Sequence, residues 1–329
     1  MKKILLSIIA LCCTLMAGAQ DSDQISAVLQ VEDQTPQVFF GASALKSAIE
    51  AAPDHGGVIT LTSGQFNAAD ITKDVIIYGA GFETDAEKGV FTTSIRGDIN
   101  VNLPEGVSAP HGIFVEGIWV TGNINVKSAV DGLTLSKSSF NNIDFDAPAT
   151  RCVITQSYVR AEIIDGFDLY VQNSYVKERV MVMDDASYIR LDHCILTRNY
   201  DDNYYSYTNR MRYNCSNCIV TNTRPMNIQT YNYCIMTGVS NLNGYSATAN
   251  NYFISIADVF DDGINNATYS EERTFELKTP TTYLGSDGKP IGPSGGIGWN
   301  KIPSTPIVKN LDATVNGASL EVDYDAEVR

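Results

Sequence analysis

From Gly112 to Ser255 the chain repeats one short phrase eight times: VEGIWV, LSKSSF, ITQSYV, VQNSYV, LDHCIL, NCSNCIV, NYCIM and NNYFIS. The apolar residues that end the phrases are Val120, Phe140, Val159, Val176, Leu196, Val220, Met236 and Ile254, in steps of 20, 19, 17, 20, 24, 16 and 18 residues. Short strands that recur roughly every 20 residues, and cannot bury their apolar side alone, stack into a solenoid. In VQNSYV, alternation places Val171, Ser174 and Val176 inside and Gln172 and Tyr175 outside, with Asn173 at a turn between two strands. The turn column reads Gly117, Lys137, Gln156, Asn173, His193, Asn217, Tyr233 and Asn251. Glycine, asparagine and histidine tolerate the left-handed conformation such a turn demands. Lys137, Gln156 and Tyr233 fit it poorly, so their coils are expected to turn differently. A second small strand follows each phrase, as in Ile124-Asn125-Val126, Ile143-Asp144-Phe145, Val180-Met181-Val182 and Met226-Asn227-Ile228, with its middle residue facing out.

Residues 20–41 read as an irregular lead-in. In SALKSAIEAAPDHGGVITLTSGQF, Ser43 is placed to cap a helix whose apolar face is Ala44, Leu45, Ala48 and Ile49. Pro53 ends the helix, Gly56-Gly57 turns the chain, and Val58 to Leu61 alternates as a strand. This stretch resembles the opening of pectin-lyase-like β-helix proteins, in which a short helix caps the solenoid before its first coil. DVIIYGAGFETD, from Asp74, is similar to the strand and turn that follow in that superfamily. The resemblance spans about residues 40 to 260. It implies an all-β, right-handed parallel β-helix with a short N-terminal capping helix and an irregular C-terminal cap. It does not select an activity, because the fold hosts lyases, hydrolases, esterases, epimerases and non-enzymes.

The first residues change the compartment. MKKILLSIIALCCTLMAGAQ has two lysines, an apolar run and Ala17-Gly18-Ala19, the pattern of a signal peptide over residues 1–19. Its removal leaves no integral membrane segment and a mature chain with 21 basic and 38 acidic residues, a net charge of −17. That acidity argues against nucleic acid and anionic lipid as partners. The protein is expected in the periplasm, at the cell surface or outside the cell. The domain plan is then a solenoid over 42–260 and a C-terminal cap with a short hairpin over 261–329.

Five cysteines follow the signal: Cys152, Cys194, Cys215, Cys218 and Cys234. Cys215-Ser216-Asn217-Cys218 has C-x-x-C spacing, which raises a zinc or redox reading. The repeat offers another account. One column holds Ile118, Ser138, Ser157, Ser174, Cys194, Cys218 and Cys234, a ladder of small side chains in which free cysteine acts as a small hydrophobe. His193, beside Asp192, has the residue types of a general base, but the turn column accounts for it without chemistry.

Basic residues gather in the loops that enter the second strand of successive coils: Arg160, Lys177, Arg179, Arg198 and Arg224. Such a column can grip the carboxylates of an acidic polysaccharide, arginine through its bidentate fork. The β-helix resemblance implies a lyase version, with Lys177 as base, Arg198 as acid, and Ca2+ held by Asp201 and Asp202 against the sugar carboxylate. The same charges also read as a solvated ladder of compensating pairs with nearby acids such as Asp144, Asp146 and Glu162. Of the family's catalytic elements, Arg190-Leu191 replaces a tryptophan, and R-x-P-x-x-R, G-H-G and R-I-K are absent. The longest step carries TRNYDDNYYSYTNRMRYN, an insertion whose Tyr204 and Tyr205 are candidate sugar-stacking rings.

Past Ser255 the chain is rich in Gly, Asp, Asn and Pro and is expected to cover the last coil. The glycines near Gly285–Gly298 lack the strand-to-helix setting of a phosphate loop. LDATVNGASLEVDYDAEVR reads as a hairpin around Asn316-Gly317. Two function classes stand: recognition of an extracellular carbohydrate, with polysaccharide-lyase activity as its enzymatic form, or a non-catalytic surface, structural or adhesion rod.

Overall fold

A computed structural model of the chain describes residues 25–107, 109–182, 187–197, 213–221, 230–238 and 250–304, and the backbone of 307–316 and 319–327. The architecture is a parallel β-solenoid. Its three walls are sheets of eleven, ten and five strands, each coil adding a strand beside its predecessor. The last described strand of the five-stranded wall is Val180–Met181, the expected strand Met226-Asn227-Ile228 lies outside the described residues, and Asn125 and Asp144 face out as expected.

Two elements shut the N-terminal end. The helix Ala44–Ala51 buries Ala44, Leu45, Ala48 and Ile49, the face its spacing predicts, although Ser43 makes no side-chain cap bond. The lead-in is not irregular. Ser26–Gln30 pairs antiparallel with both Gln37–Phe40 and the strand His55–Leu61, covering the edge of the first coil. Ala27, Val28 and Leu29 are buried there, so a run of three apolar residues does what periodicity alone leaves unread.

The interior is the column the phrases predict. Val159, Val176, Leu196, Val220 and Met236 pair in register and are fully buried. The last phrase is displaced by one residue, because Met236 pairs with Phe253 and not with Ile254. The cause lies at Asn250-Asn251. Asn250 takes the left-handed turn (φ 56°), and Asn251 enters the small-residue column, where its Oδ1 accepts the Cys234 N–H at 2.8 Å.

That column is a polar ladder. The Ser138 N–H donates to Ser157 Oγ at 3.2 Å and the Ser157 N–H to Ser174 Oγ at 3.1 Å. Each hydroxyl donates in turn to the carbonyl two residues earlier. Cysteine continues the pattern with longer sulfur contacts: the Cys194 N–H to Cys218 Sγ at 3.4 Å, and Cys218 Sγ to the Ser216 carbonyl at 3.0 Å. All five described cysteines are free and buried. Burial raises the Cys152 thiol to about 12 and pushes Cys215 and Cys218 up as well, so these three are not thiolates at neutral pH. Among the described residues no group of three or more His, Cys, Asp or Glu is arranged to hold a metal ion. The C-x-x-C spacing is a consequence of the coil.

The turn column is more uniform than its composition suggests. Lys137, Gln156 and Tyr233 adopt the left-handed conformation (φ 44°, 49° and 54°) alongside Asn173, His193 and Asn217. Five of these side chains have partners that offset a strain of about 1 kcal/mol, Lys137 through Nζ to Ser304 Oγ at 3.2 Å. Gln156 Nε2 donates to the Gly298 carbonyl at 2.8 Å, and Asn173 Nδ2 donates to those of Pro293 and Gly295 at 2.9 and 2.7 Å. His193 Nδ1 meets the Gly292 carbonyl at 3.2 Å, and the Ser286 N–H donates to Asn217 Oδ1 at 2.7 Å. The C-terminal segment 256–304 therefore extends beyond the last coil and runs back along the solenoid. It descends from the coil of Asn217 to that of Glu116, whose carboxylate accepts from Ser304.

The glycines of this segment permit the approach. A Cβ on Gly295 would lie 2.6 Å from His193 Nδ1, and one on Gly285 2.7 Å from Asn217 Oδ1. On its other side the segment covers the outward column of the ten-stranded wall. Tyr175, Ile195, Ile219 and Ile235 point away from the solenoid interior yet are buried, packed with Val259, Phe260, Phe275, Leu277 and Ile291 in a second core. Tyr175, expected at the surface, is 1% exposed. At the C-terminus, Ile307–Asn316 and Ser319–Glu327 form the expected antiparallel hairpin, with Asn316 opposite Ser319.

Candidate functional site

Where the C-terminal segment stops covering that outward column, a cleft of about 560 Å³ opens. Its floor is the outward column of three successive coils, Trp119, Ser139 and Tyr158, which pair in register. One wall comes from the loop bearing Phe82, Glu83, Thr84 and Thr92, and the other from Tyr269, Ser270, Glu271 and Glu272 of the C-terminal segment. The site is composite: no single coil contains it.

Trp119 stands at the outward position of VEGIWV, where the next phrases carry Ser139, Tyr158 and Tyr175. It is 37% exposed, an unusual state for a large apolar ring on a rigid sheet. Arg160 lies against it, its guanidinium carbon 5.8 Å from the ring centroid. The Arg160 guanidinium is anchored from below: Nη2 donates to the Val120 carbonyl and, at 3.2 Å, to that of Thr121. Its Nε is buried without a hydrogen-bond partner, and burial pulls its pKa down.

The rings behind the platform are packed. Tyr158 stacks on Tyr269 with centroids 3.9 Å apart and an interplanar angle of 15°, and both meet Tyr175 edge-on. Burial, then the Glu83 charge, raises the Tyr269 phenol far above its ordinary value, so it stays a neutral donor and gives its proton to Glu83 in a hydrogen bond. Lys301 also donates to Glu83, compensating that carboxylate. Glu271 and Glu272 are exposed at the rim, with no ion-pair partner among the described residues. Thr84, Thr92 and Ser139 add hydroxyls.

Of the sequence-derived candidates among the described residues, Arg160 alone enters this cleft. Arg179 pairs with Glu162 on the next face, Nε to Oε1 at 2.7 Å, which matches the compensated-ladder reading for that residue. Lys177 is exposed, with no ion-pair partner among the described residues. Arg198, Asp201, Asp202, Tyr204, Tyr205 and Arg224 lie outside the described residues. His193 is 1% exposed and clasps the C-terminal segment, and Asp192 instead accepts from Tyr170 Oη and Asn217 Nδ2, both at 2.8 Å. His55 meets Asp74 at 3.0 Å, but the other Asp74 oxygen is taken by the Gly112 N–H at 2.6 Å, a tie between coils. No described helix is long and apolar enough to cross a membrane.

Trp119 was the missed residue. Its signal was present: it is the one tryptophan in a column otherwise filled by serine, tyrosine and isoleucine. In comparisons with known proteins, the chain matches no family model, no curated protein and no solved structure.

Proposed function

We propose that this chain is an exported carbohydrate-recognition solenoid that binds a sugar chain in the cleft over Trp119. The observation that carries the reading is the half-exposed indole on a rigid floor, ringed by hydroxyls and carboxylates. A pyranose offers an apolar C–H face to an aromatic ring and hydroxyls at its edge, and a flat ring with polar neighbours meets both. The signal-like residues 1–19 and the resemblance to pectin-lyase-like β-helices point to the same setting, an extracellular or periplasmic polysaccharide. The polysaccharide-lyase form rests on Lys177 with Arg198, of which Lys177 alone is described, so binding is the reading put forward.

The test is binding of the purified mature chain to a panel of immobilised plant, algal and microbial polysaccharides, with Trp119→Ala in parallel. A retained polysaccharide that Trp119→Ala releases, at unchanged thermal stability, is the expected result. Absence of binding to every polysaccharide moves the protein to the structural-rod class. New absorbance from unsaturated sugar ends would restore the lyase reading.

A further inference from the structure

We infer that the cleft selects an uncharged glycan and disfavours its uronate counterpart, an inference that rests on the carbohydrate reading above and narrows its substrate class. Among the described residues Arg160 is the single cation that lines the cleft. Its Nη2 is committed to the carbonyls of Val120 and Thr121, its Nε is buried, and its flat face lies against Trp119. A guanidinium so occupied cannot present the two parallel N–H bonds with which arginine grips a carboxylate. It holds the indole in place and so acts as a positioning residue for the platform.

Lys301, the other cation nearby, is bound to Glu83 and to the Glu271 carbonyl. What faces a ligand is therefore negative: Glu271 and Glu272, exposed on the wall opposite the 82–92 loop. A sugar carboxylate seated on Trp119 would face Glu271 and Glu272 and could take at most single, not forked, bonds from Arg160, of whose nitrogens Nη1 alone is uncommitted. A neutral pyranose loses nothing there, since exposed carboxylates accept hydrogen bonds from its hydroxyls. On the outer face of the five-stranded wall the cations Lys127 and Arg179 are likewise committed, to Asp146 and to Glu162. Burial, then the neighbouring Asp146, raises the Asp144 carboxyl above its usual range, against the opposing charge of Lys127.

The experiment uses matched pairs of labelled hexasaccharides, β-glucan, mannan and galactan, each neutral or oxidised at C6 to the uronate. Affinities for the mature chain are read at low and high salt, with Glu271→Gln/Glu272→Gln as the charge variant and Arg160→Met as the positioning variant. The expected result is that at least one neutral member binds about ten-fold tighter than its uronate at low salt, the scale of two like charges a few ångströms away in a largely aqueous site. That ratio should shrink at high salt and in the double variant. Arg160→Met should weaken both members of a pair and, because it removes a positive charge, should raise the neutral-to-uronate ratio and not lower it. A uronate that binds as tightly as its neutral partner, or tighter, overturns this inference and leaves the carbohydrate reading standing. If no member of any pair binds, both fall.

Discussion

Asn173 gives the sharpest test of how the C-terminal segment is held. Its side chain is 1% exposed, its backbone is left-handed (φ 43°), and it bonds the segment three times: to the carbonyls of Pro293 and Gly295 and, at 3.3 Å, from the N–H of Ile297. Asn173→Ala removes the partners of two buried carbonyls, each costing about 1–3 kcal/mol when left unsatisfied. It also places a Cβ-bearing residue without a polar side chain in the left-handed region, at about 1 kcal/mol more. The expected loss is about 3–7 kcal/mol. Asn173→Gly loses the same bonds without the strain and should recover about 1 kcal/mol of it. Guanidinium unfolding measures both totals, and hydrogen exchange at Gly292–Gly298 localises them. Losses below about 1 kcal/mol in both variants, or unchanged exchange in the segment, would refute the view that the turn column holds it.

Four further outcomes follow from the same structure. Gly295→Ala, whose Cβ would sit 1.8 Å from the Pro290 carbonyl oxygen, should lower the thermal midpoint by several degrees. Tyr233→Asn, which puts a residue suited to φ 54° where tyrosine stands half-buried, should gain about 0.5–1 kcal/mol in the same guanidinium assay. The five buried thiols should resist alkylation at pH 8 in the native chain and react on unfolding; rapid native labelling of Cys218 would contradict the ladder. A pH effect belongs to Asp131, held below the usual carboxylate range by hydrogen bonds from Arg151 and Thr150. A depressed folded-state pKa contributes stability above the unfolded value and loses it as pH falls through the folded one. Asp131→Asn should therefore flatten the acid limb of a stability-versus-pH curve.

The fold was legible because one side of each coil must be apolar, and a repeat of the same strand leaves that requirement in columns. The inward column and the small-residue ladder were read residue by residue. The turn column was read only in part. Lys137, Gln156 and Tyr233 looked unsuited to a left-handed turn, but the partners that compensate Lys137 and Gln156 lie about 140 residues or more away, at Ser304 and Gly298. The fate of Tyr175, Ile195, Ile219 and Ile235 was hidden for the same reason. Alternation shows which face a side chain takes, but not what later segment covers that face. The last phrase slipped because two adjacent asparagines both suit the turn. The cleft was illegible as a whole: its walls come from 82–92 and 269–272 and its floor from three coils, and nothing local relates them. The basic column drew attention because charge is conspicuous in sequence, whereas the ion pair that ties Arg179 to Glu162 is visible only in three dimensions.

The account's central claim is that Trp119 presents a sugar-binding surface. The most direct measurement is isothermal titration of the mature chain with the tightest neutral oligosaccharide from the panel, repeated with Trp119→Ala and with Trp119→Phe. The account predicts that Trp119→Ala weakens binding by about ten-fold or more, a loss of at least ~1.4 kcal/mol, while Trp119→Phe retains most of it. Equal affinity in all three proteins would contradict it.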